Sequence, residues 1–189
     1  GFGGAAGAFG TMAAMYGVEL PDDEVRAVVK AWRAANPKIV QFWWDLERAV
    51  KNITSTVNGT VDLGPLRIQK QGAWLRIILP SGRSLSYAQP RIEDDQFTYM
   101  GLNQYTRKWE RISSYGGKLF ENVVQAIARD VLVAAMKRCA ANGFDIVLTV
   151  YDEIIAEAVM GRTVDEMISL MTTVPHWAPG LPLAAGGFE

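Results

Sequence analysis

The chain has 189 residues, of which 49% are hydrophobic, and its 19 basic and 20 acidic side chains leave a net charge of -1. This length and apolar content suffice for a packed core and exclude a disordered or fibrous protein. One cysteine and one histidine are too few for a disulfide framework or a zinc site, and without a basic excess any nucleic-acid contact has to be local. The single cysteine fits a reducing cytoplasm, and no apolar run reaches the roughly 20 residues of a membrane-spanning helix.

The first part of the chain is predicted to be helical. Three helices are expected: Ala8 to Tyr16, Pro21 to Asn36, and Pro37 to about Asn58-Gly59. Apolar residues recur at helical spacing in the third helix, namely Ile39, Phe42, Trp43, Leu46 and Val50. This spacing indicates core packing.

The rest of the chain combines antiparallel hairpins with a long helix. A hairpin is predicted from Ala73 to Tyr87 around Pro80-Ser-Gly-Arg83, followed by a strand from Gln96 to Met100. A long helix is predicted from Tyr115 to Ala141, followed by a hairpin with strands Ile146–Val150 and Ile154–Val159. A final helix runs from a capping box at Thr163 to about Met171. The fold class is therefore α/β, of the α+β kind, with a helical part over residues 1–72 and a second part over 73–189.

An acidic pair stands at the turn of the last hairpin. Asp152 and Glu153 follow Tyr151 between two β-rich runs, where carboxylates would be held at the edge of a sheet. Magnesium prefers oxygen ligands and usually takes one or two from protein, with the rest from phosphate and water. An ordinary acidic turn explains the same residues, because aspartate is favoured in turns for its own hydrogen bonds.

A polar stripe runs along the long helix. Lys118, Asn122, Gln125 and Arg129 fall at steps of four, three and four, and therefore share one helix face. Cations that bind phosphate and amides that bind base edges suit the edge of a DNA duplex. A solvated helix face is the alternative, with Glu121 or Asp130 pairing with the cations.

Five of the six tryptophans raise a similar choice, namely Trp32, Trp43, Trp44, Trp74 and Trp109. Each offers a ring that can stack on a base, although aromatic residues at helical or strand spacing usually belong to a core.

Taken in order, these motifs resemble family A DNA polymerases of the phage and bacterial DNA polymerase I kind. Gly1-Phe-Gly-Gly is similar to the end of the fingers helix, and Leu79-Pro-Ser-Gly-Arg-Ser-Leu85 to a hairpin of that family. The run from Tyr115-Gly-Gly-Lys to Ala128-Arg-Asp130 resembles the phage branch, and Val150-Tyr-Asp-Glu153 occupies the place of the family motif Val-His-Asp-Glu.

The resemblance implies a carboxy-terminal fragment of a template-directed DNA polymerase: the remainder of the fingers in residues 1–72 and a palm part in 73–189. Asp152 would bind the magnesium ions of a two-metal site, and Glu153 would help to shape it. Gln125, with Lys118, Asn122 and Arg129, would contact primer-template DNA, and Phe2 with Gly3 would lie near the deoxynucleoside triphosphate and the template. Such an enzyme acts in the cytoplasm of a bacterial or phage-infected cell.

Two family motifs are absent from the sequence: the first carboxylate motif, and the Arg and Lys that hold the triphosphate. We therefore expect the isolated chain to be inactive without a missing amino-terminal polymerase part. Two other functions stay open, namely a non-catalytic DNA-binding module derived from a polymerase and a globular protein whose acidic turn and polar stripe are only surface.

Overall fold

The computed structural model describes residues 6–188 of the chain, and within them it is a mixed fold of helices and antiparallel sheets. The helices are α1 (Ala6–Met15), α2 (Asp22–Ala35), α3 (Pro37–Thr54), α4 (Gly116–Ala141) and α5 (Val164–Thr172). The strands are β1 (Asn58–Leu63), β2 (Leu66–Gln71), β3 (Trp74–Ile78), β4 (Ser84–Glu93), β5 (Gln96–Leu102), β6 (Trp109–Ser114), β7 (Phe144–Val150) and β8 (Glu153–Ala158). The α+β class is confirmed.

The described chain divides into two compact units. The first contains the residues up to Ile78 together with Ser84–Val123, and the second contains Leu79–Arg83 together with the residues from Val124 onward. Strands β1 to β6 form one antiparallel meander in chain order, whereas β7 and β8 form a separate two-stranded sheet. None of the helices within residues 6–188 is both long and apolar enough to cross a membrane.

The core of the first unit lies between helix α3 and one face of the six-stranded sheet. Leu46 and Val50 of α3 are fully buried, in agreement with the predicted apolar spacing. In β2 and β3 burial alternates along the strand, and the buried Ile68 and Ile77 are directly opposite each other in the register. Period-two burial of this kind means that one sheet face packs on the helix while the other meets solvent.

Glycine is required where helix α4 begins. A Cβ at Gly116 would overlap the backbone carbonyl of Trp43 in α3, and the Gly116 amide donates a 2.8 Å hydrogen bond to Glu47 Oε2. The bond satisfies one of the amides that a helix start leaves free. Part of the Tyr115-Gly-Gly motif therefore serves the packing of α3 against α4.

The second unit is built around the later turns of α4. Leu132, Ala135 and Cys139 of this helix are buried, as is Phe144 at the start of β7. Helix α5 begins with the predicted capping box, in which the Thr163 hydroxyl and the Glu166 carboxylate each accept from the other residue's amide. These reciprocal bonds satisfy two amides at the start of the helix.

Helix α3 is shorter than the sequence pattern predicted. It ends at Thr54, and residues 58–71 form β1 and β2 instead of helix. Gly64, with φ of 54°, and Pro65 make the two-residue turn between Leu63 and Leu66. The prediction of helix to residues 58–59 was wrong because the strands are stabilised by pairing with each other and with β3, a non-local contact that helical spacing does not reveal.

Strand β6 was also missed, since it is defined by pairing with β5. Strand β4 continues to Glu93, six residues beyond its predicted end at Tyr87. The other predicted helices and strands are confirmed within about two residues of their predicted ends. The assignment of residues 1–72 to fingers and 73–189 to palm stays a prediction.

Candidate metal-binding turn and nucleic-acid face

The acidic pair lies at the end of the β7–β8 hairpin. Val150 pairs with Glu153, which leaves Tyr151 and Asp152 as a two-residue turn. Tyr151 has φ of 52° and its side chain is 94% exposed. Positive φ at the first central residue suits the turns that match the twist of paired antiparallel strands. The predicted tight hairpin is confirmed.

Both carboxylates of the turn are free to bind a ligand. Asp152 and Glu153 are exposed, and neither side chain forms a hydrogen bond or ion pair with any residue in 6–188. Magnesium is commonly bound by one or two such carboxylates of a protein together with substrate phosphates. The residues described here contain no group of three or more His, Cys, Asp or Glu side chains placed to hold a metal. The donor set therefore fits part of a magnesium site, and the roles of both residues stay predictions.

In the first unit, Lys118 and Asn122 both have intramolecular partners. The Lys118 ammonium pairs with Glu121 at 2.9 Å, and this hydrogen bond raises the pKa of the lysine. Asn122 is half-buried and its Nδ2 donates to the Tyr87 hydroxyl at 3.3 Å. A DNA contact by Lys118 therefore competes with an internal ion pair.

In the second unit, Gln125 and Arg129 are exposed. Their side chains form no hydrogen bond or ion pair with the described part of the chain. Asp130 does not neutralise Arg129, because its carboxylate binds Arg83 and Ser81. Of the four residues predicted on the stripe, these two are thus unengaged.

The structure also connects two motifs that lie far apart in the sequence. Asp130 accepts hydrogen bonds from Arg83 Nε at 2.6 Å and from the Ser81 hydroxyl at 2.5 Å. Arg83 Nη2 further donates to the carbonyl of Ala126 at 2.8 Å. The turn between β3 and β4 is thereby fastened to α4. Arg83 and Asp130 are 47 positions apart, so no local spacing in the sequence predicts this contact.

A known protein is similar to the chain over its full length. A DNA polymerase of Bacillus phage SP02 is 38% identical to the chain over 201 residues. The chain is related to a phage DNA polymerase. The match covers 100% of the chain and 30% of the phage protein, so the chain spans about a third of the length of this relative. No protein-family model matches the sequence, and no solved structure matches it significantly.

The tryptophans divide between core and surface. Trp43 is 3% exposed and belongs to the core, and the half-buried Trp32 stacks on it with ring centroids 5.7 Å apart. Trp44, Trp74 and Trp109 are 55%, 45% and 63% exposed. Phe2 and Gly3, predicted to lie near the nucleotide and the template, fall outside the described residues.

Proposed function

We propose that the chain is the palm part, with the end of the fingers, of a family A template-directed DNA polymerase. The observation that carries this proposal is its 38% identity, over its full length, to part of a phage DNA polymerase. The exposed Asp152 and Glu153 at a tight hairpin turn are consistent with it. The substrates would be primer-template DNA and deoxynucleoside triphosphates.

In this proposal the β7–β8 turn holds part of a two-metal site. Magnesium, when bound, would neutralise charge on the transferring phosphoryl group and activate the primer hydroxyl. The hairpin fixes the backbone position of Asp152 because paired strands lie on both sides of a two-residue turn. The other metal-binding carboxylate would come from a part of the polymerase that the chain does not include.

One face of the β7–β8 hairpin supports a role within a larger enzyme. Leu148 and Ile155 are register partners, and they are 54% and 46% exposed. Val150, two residues from Leu148 and opposite Glu153, is 38% exposed. Exposed apolar side chains grouped on one sheet face are typical of an interaction site. We propose that another part of the polymerase covers this face beside Glu153.

Substitution of Asp152 in the complete polymerase tests the proposal. Asp152→Ala is expected to lower the rate of primer extension about a hundredfold or more, because metal-held charge stabilisation contributes several kcal/mol to the transition state. The rate is measured with a labelled primer annealed to a longer template, and circular dichroism checks that the variant is folded.

Asp145→Ala is the matched control, since Asp145 is an exposed carboxylate on β7 of the same hairpin, away from the turn. It should leave extension within about twofold of the parent enzyme. Normal extension by Asp152→Ala would remove the assignment of this residue and with it the proposed site.

A non-catalytic DNA-binding module is the second candidate, favoured by the exposed and unengaged Gln125 and Arg129. It predicts DNA binding that weakens with salt and does not respond to magnesium. Arg129→Gln would then weaken duplex binding, while Asp152→Ala would leave that binding unchanged.

A further inference from the structure

The end of the β5–β6 hairpin has a surface that the proposed polymerase site does not use. We call residues 102–109 the hairpin tip. Three of its apolar or aromatic side chains are largely exposed: Leu102 at 61%, Tyr105 at 97% and Trp109 at 63%. Leu102 and Trp109 are register partners, so their side chains lie on the same face of the sheet. Exposed aromatic residues grouped in this way are typical of an interaction site.

The backbone of the hairpin tip is held by its own polar residues. Asn103 Oδ1 accepts from the amides of Tyr105 at 2.8 Å and Thr106 at 3.3 Å. Asn103 Nδ2 and the Thr106 hydroxyl both donate to Glu110 Oε1, at 2.5 Å and 3.1 Å. Two backbone bonds, from Asn103 to Lys108 and from Arg107 to Asn103, close the loop. These bonds hold the backbone of the tip in a defined turn, from which the rings of Tyr105 and Trp109 extend into solvent.

Two cations of the hairpin tip have no internal partner. Arg107 and Lys108 are exposed and form no ion pair with any side chain between residues 6 and 188. The adjacent Glu110 carboxylate accepts from Asn103 and Thr106 instead. In a chain with a net charge of -1, the tip is thus a local patch of positive charge beside exposed rings.

We propose that the hairpin tip binds single-stranded DNA, with Tyr105 and Trp109 stacking on bases and Arg107 and Lys108 contacting phosphates. Rings stack on any base, while cations follow the backbone, and this combination is the usual chemistry of single-strand binding. A duplex hides its base faces in the stack, so exposed rings select an unpaired strand. The choice of DNA over RNA rests on the proposed function. Binding of a single strand is inferred from the surface alone and does not rest on that function.

Fluorescence anisotropy with a labelled oligothymidylate of about eight nucleotides tests the proposal on the 189-residue chain, since single-strand sites span about 4–16 nucleotides. Tyr105→Ala and Trp109→Ala are each expected to weaken binding about fivefold or more. Arg107→Gln with Lys108→Gln is expected to reduce the slope of log affinity against log salt by about 0.7 for each cation removed.

Matched controls remove the same chemistry elsewhere in the first unit. Tyr16→Ala and Trp44→Ala delete exposed rings, and Lys38→Gln with Arg76→Gln deletes two exposed cations. These controls should bind as the parent chain does. Tyr105→Phe and Trp109→Phe, which keep a ring, should retain most of the affinity.

Equal affinity in the tip variants and the controls would overturn the inference, as would a loss of duplex binding in the tip variants as large as their loss of single-strand binding. The two proposals fail separately. Asp152→Ala should leave oligothymidylate binding unchanged. If Asp152→Ala abolishes primer extension while the tip variants bind oligothymidylate as the parent chain does, only the tip proposal is rejected. If the ring substitutions weaken oligothymidylate binding but Asp152→Ala extends primers normally, only the proposed polymerase site is rejected.

Discussion

At the scale of single residues, the predicted DNA-contacting side chains differ in what a contact would cost them. Lys118 would have to leave Glu121, and Asn122 would have to leave the Tyr87 hydroxyl. Gln125 and Arg129 have no such bond to break in the described chain. Because the net value of an exposed ion pair is small, Lys118 can exchange its partner for a phosphate at little cost, whereas the half-buried Asn122 bond is exchanged less easily.

Tyr87 provides a prediction on pH. Its phenol is buried beside Phe97 and Tyr99, and this burial raises its pKa to about 12, although the hydrogen bond from Asn122 acts in the opposite direction. In the unfolded chain the pKa is about 10. The stabilising contribution of the protonated phenol is therefore complete below about pH 10 and is lost as the pH rises through about 12.

The free energy of unfolding, measured by urea denaturation between about pH 9 and pH 12, is expected to lose about 2 kcal/mol through this group. Tyr87→Phe should flatten that part of the pH profile. Tyr105→Phe, which changes a phenol that is 97% exposed, should keep it. An unchanged profile in Tyr87→Phe would show that Tyr87 does not cause the loss.

At the scale of elements, the contact of the β3–β4 turn with α4 is the feature that spacing did not reveal. Asp130 has a side chain only 11% exposed and accepts two hydrogen bonds from the turn, whereas Arg83 is 46% exposed. Loss of the contact would therefore cost more free energy at Asp130 than at Arg83, because it would leave a largely buried acceptor without a hydrogen bond. This contact gives the Ser-Gly-Arg turn and the Ala-Arg-Asp segment of α4 a shared structural role.

Asp130→Ala is expected to lower the free energy of unfolding by about 2 kcal/mol, because it removes two charge-assisted hydrogen bonds. Arg129→Ala, the exposed neighbour on the same helix, should change it by less than about 0.5 kcal/mol. A double-mutant cycle of Arg83→Ala and Asp130→Ala measures the coupling between the two side chains. A coupling energy near zero would mean that the ion pair does not contribute to stability.

At the scale of the whole molecule, the chain corresponds to 30% of the phage polymerase to which it is related. Residues 6–188 offer the acidic turn but no cluster of three or more metal-ligating side chains. A two-metal reaction needs carboxylates that hold both ions. The proposed function therefore requires contributions from beyond these residues.

We expect the 189-residue chain alone not to extend a primer, at any magnesium concentration. Addition of the separately produced remainder of the polymerase should restore extension, and the Asp152→Ala chain should fail to do so in the same mixture. Extension by the purified chain alone, free of contaminating polymerase, would contradict the account of the missing motifs.

The sequence by itself determined the elements whose signals are local. Helical spacing in α3 and α4, the capping box at Thr163 and the paired β-rich runs around Asp152 each depend on residues a few positions apart, so they could be predicted without a fold. It also led to Asp152 itself, through the order of its motifs. The turn alone does not show whether that carboxylate binds a metal.

Only the tertiary structure decided the non-local features. Strands β1 and β6 exist because of neighbours with which they pair, Asn122 is engaged because Tyr87 lies against it, and Asp130 binds a turn far away in sequence. The exposure of Trp109, in contrast to the burial of Trp43, likewise depends on what packs on each ring. Such contacts arise from the burial of apolar surface between distant segments, and the free energy of that burial has no periodicity along the chain.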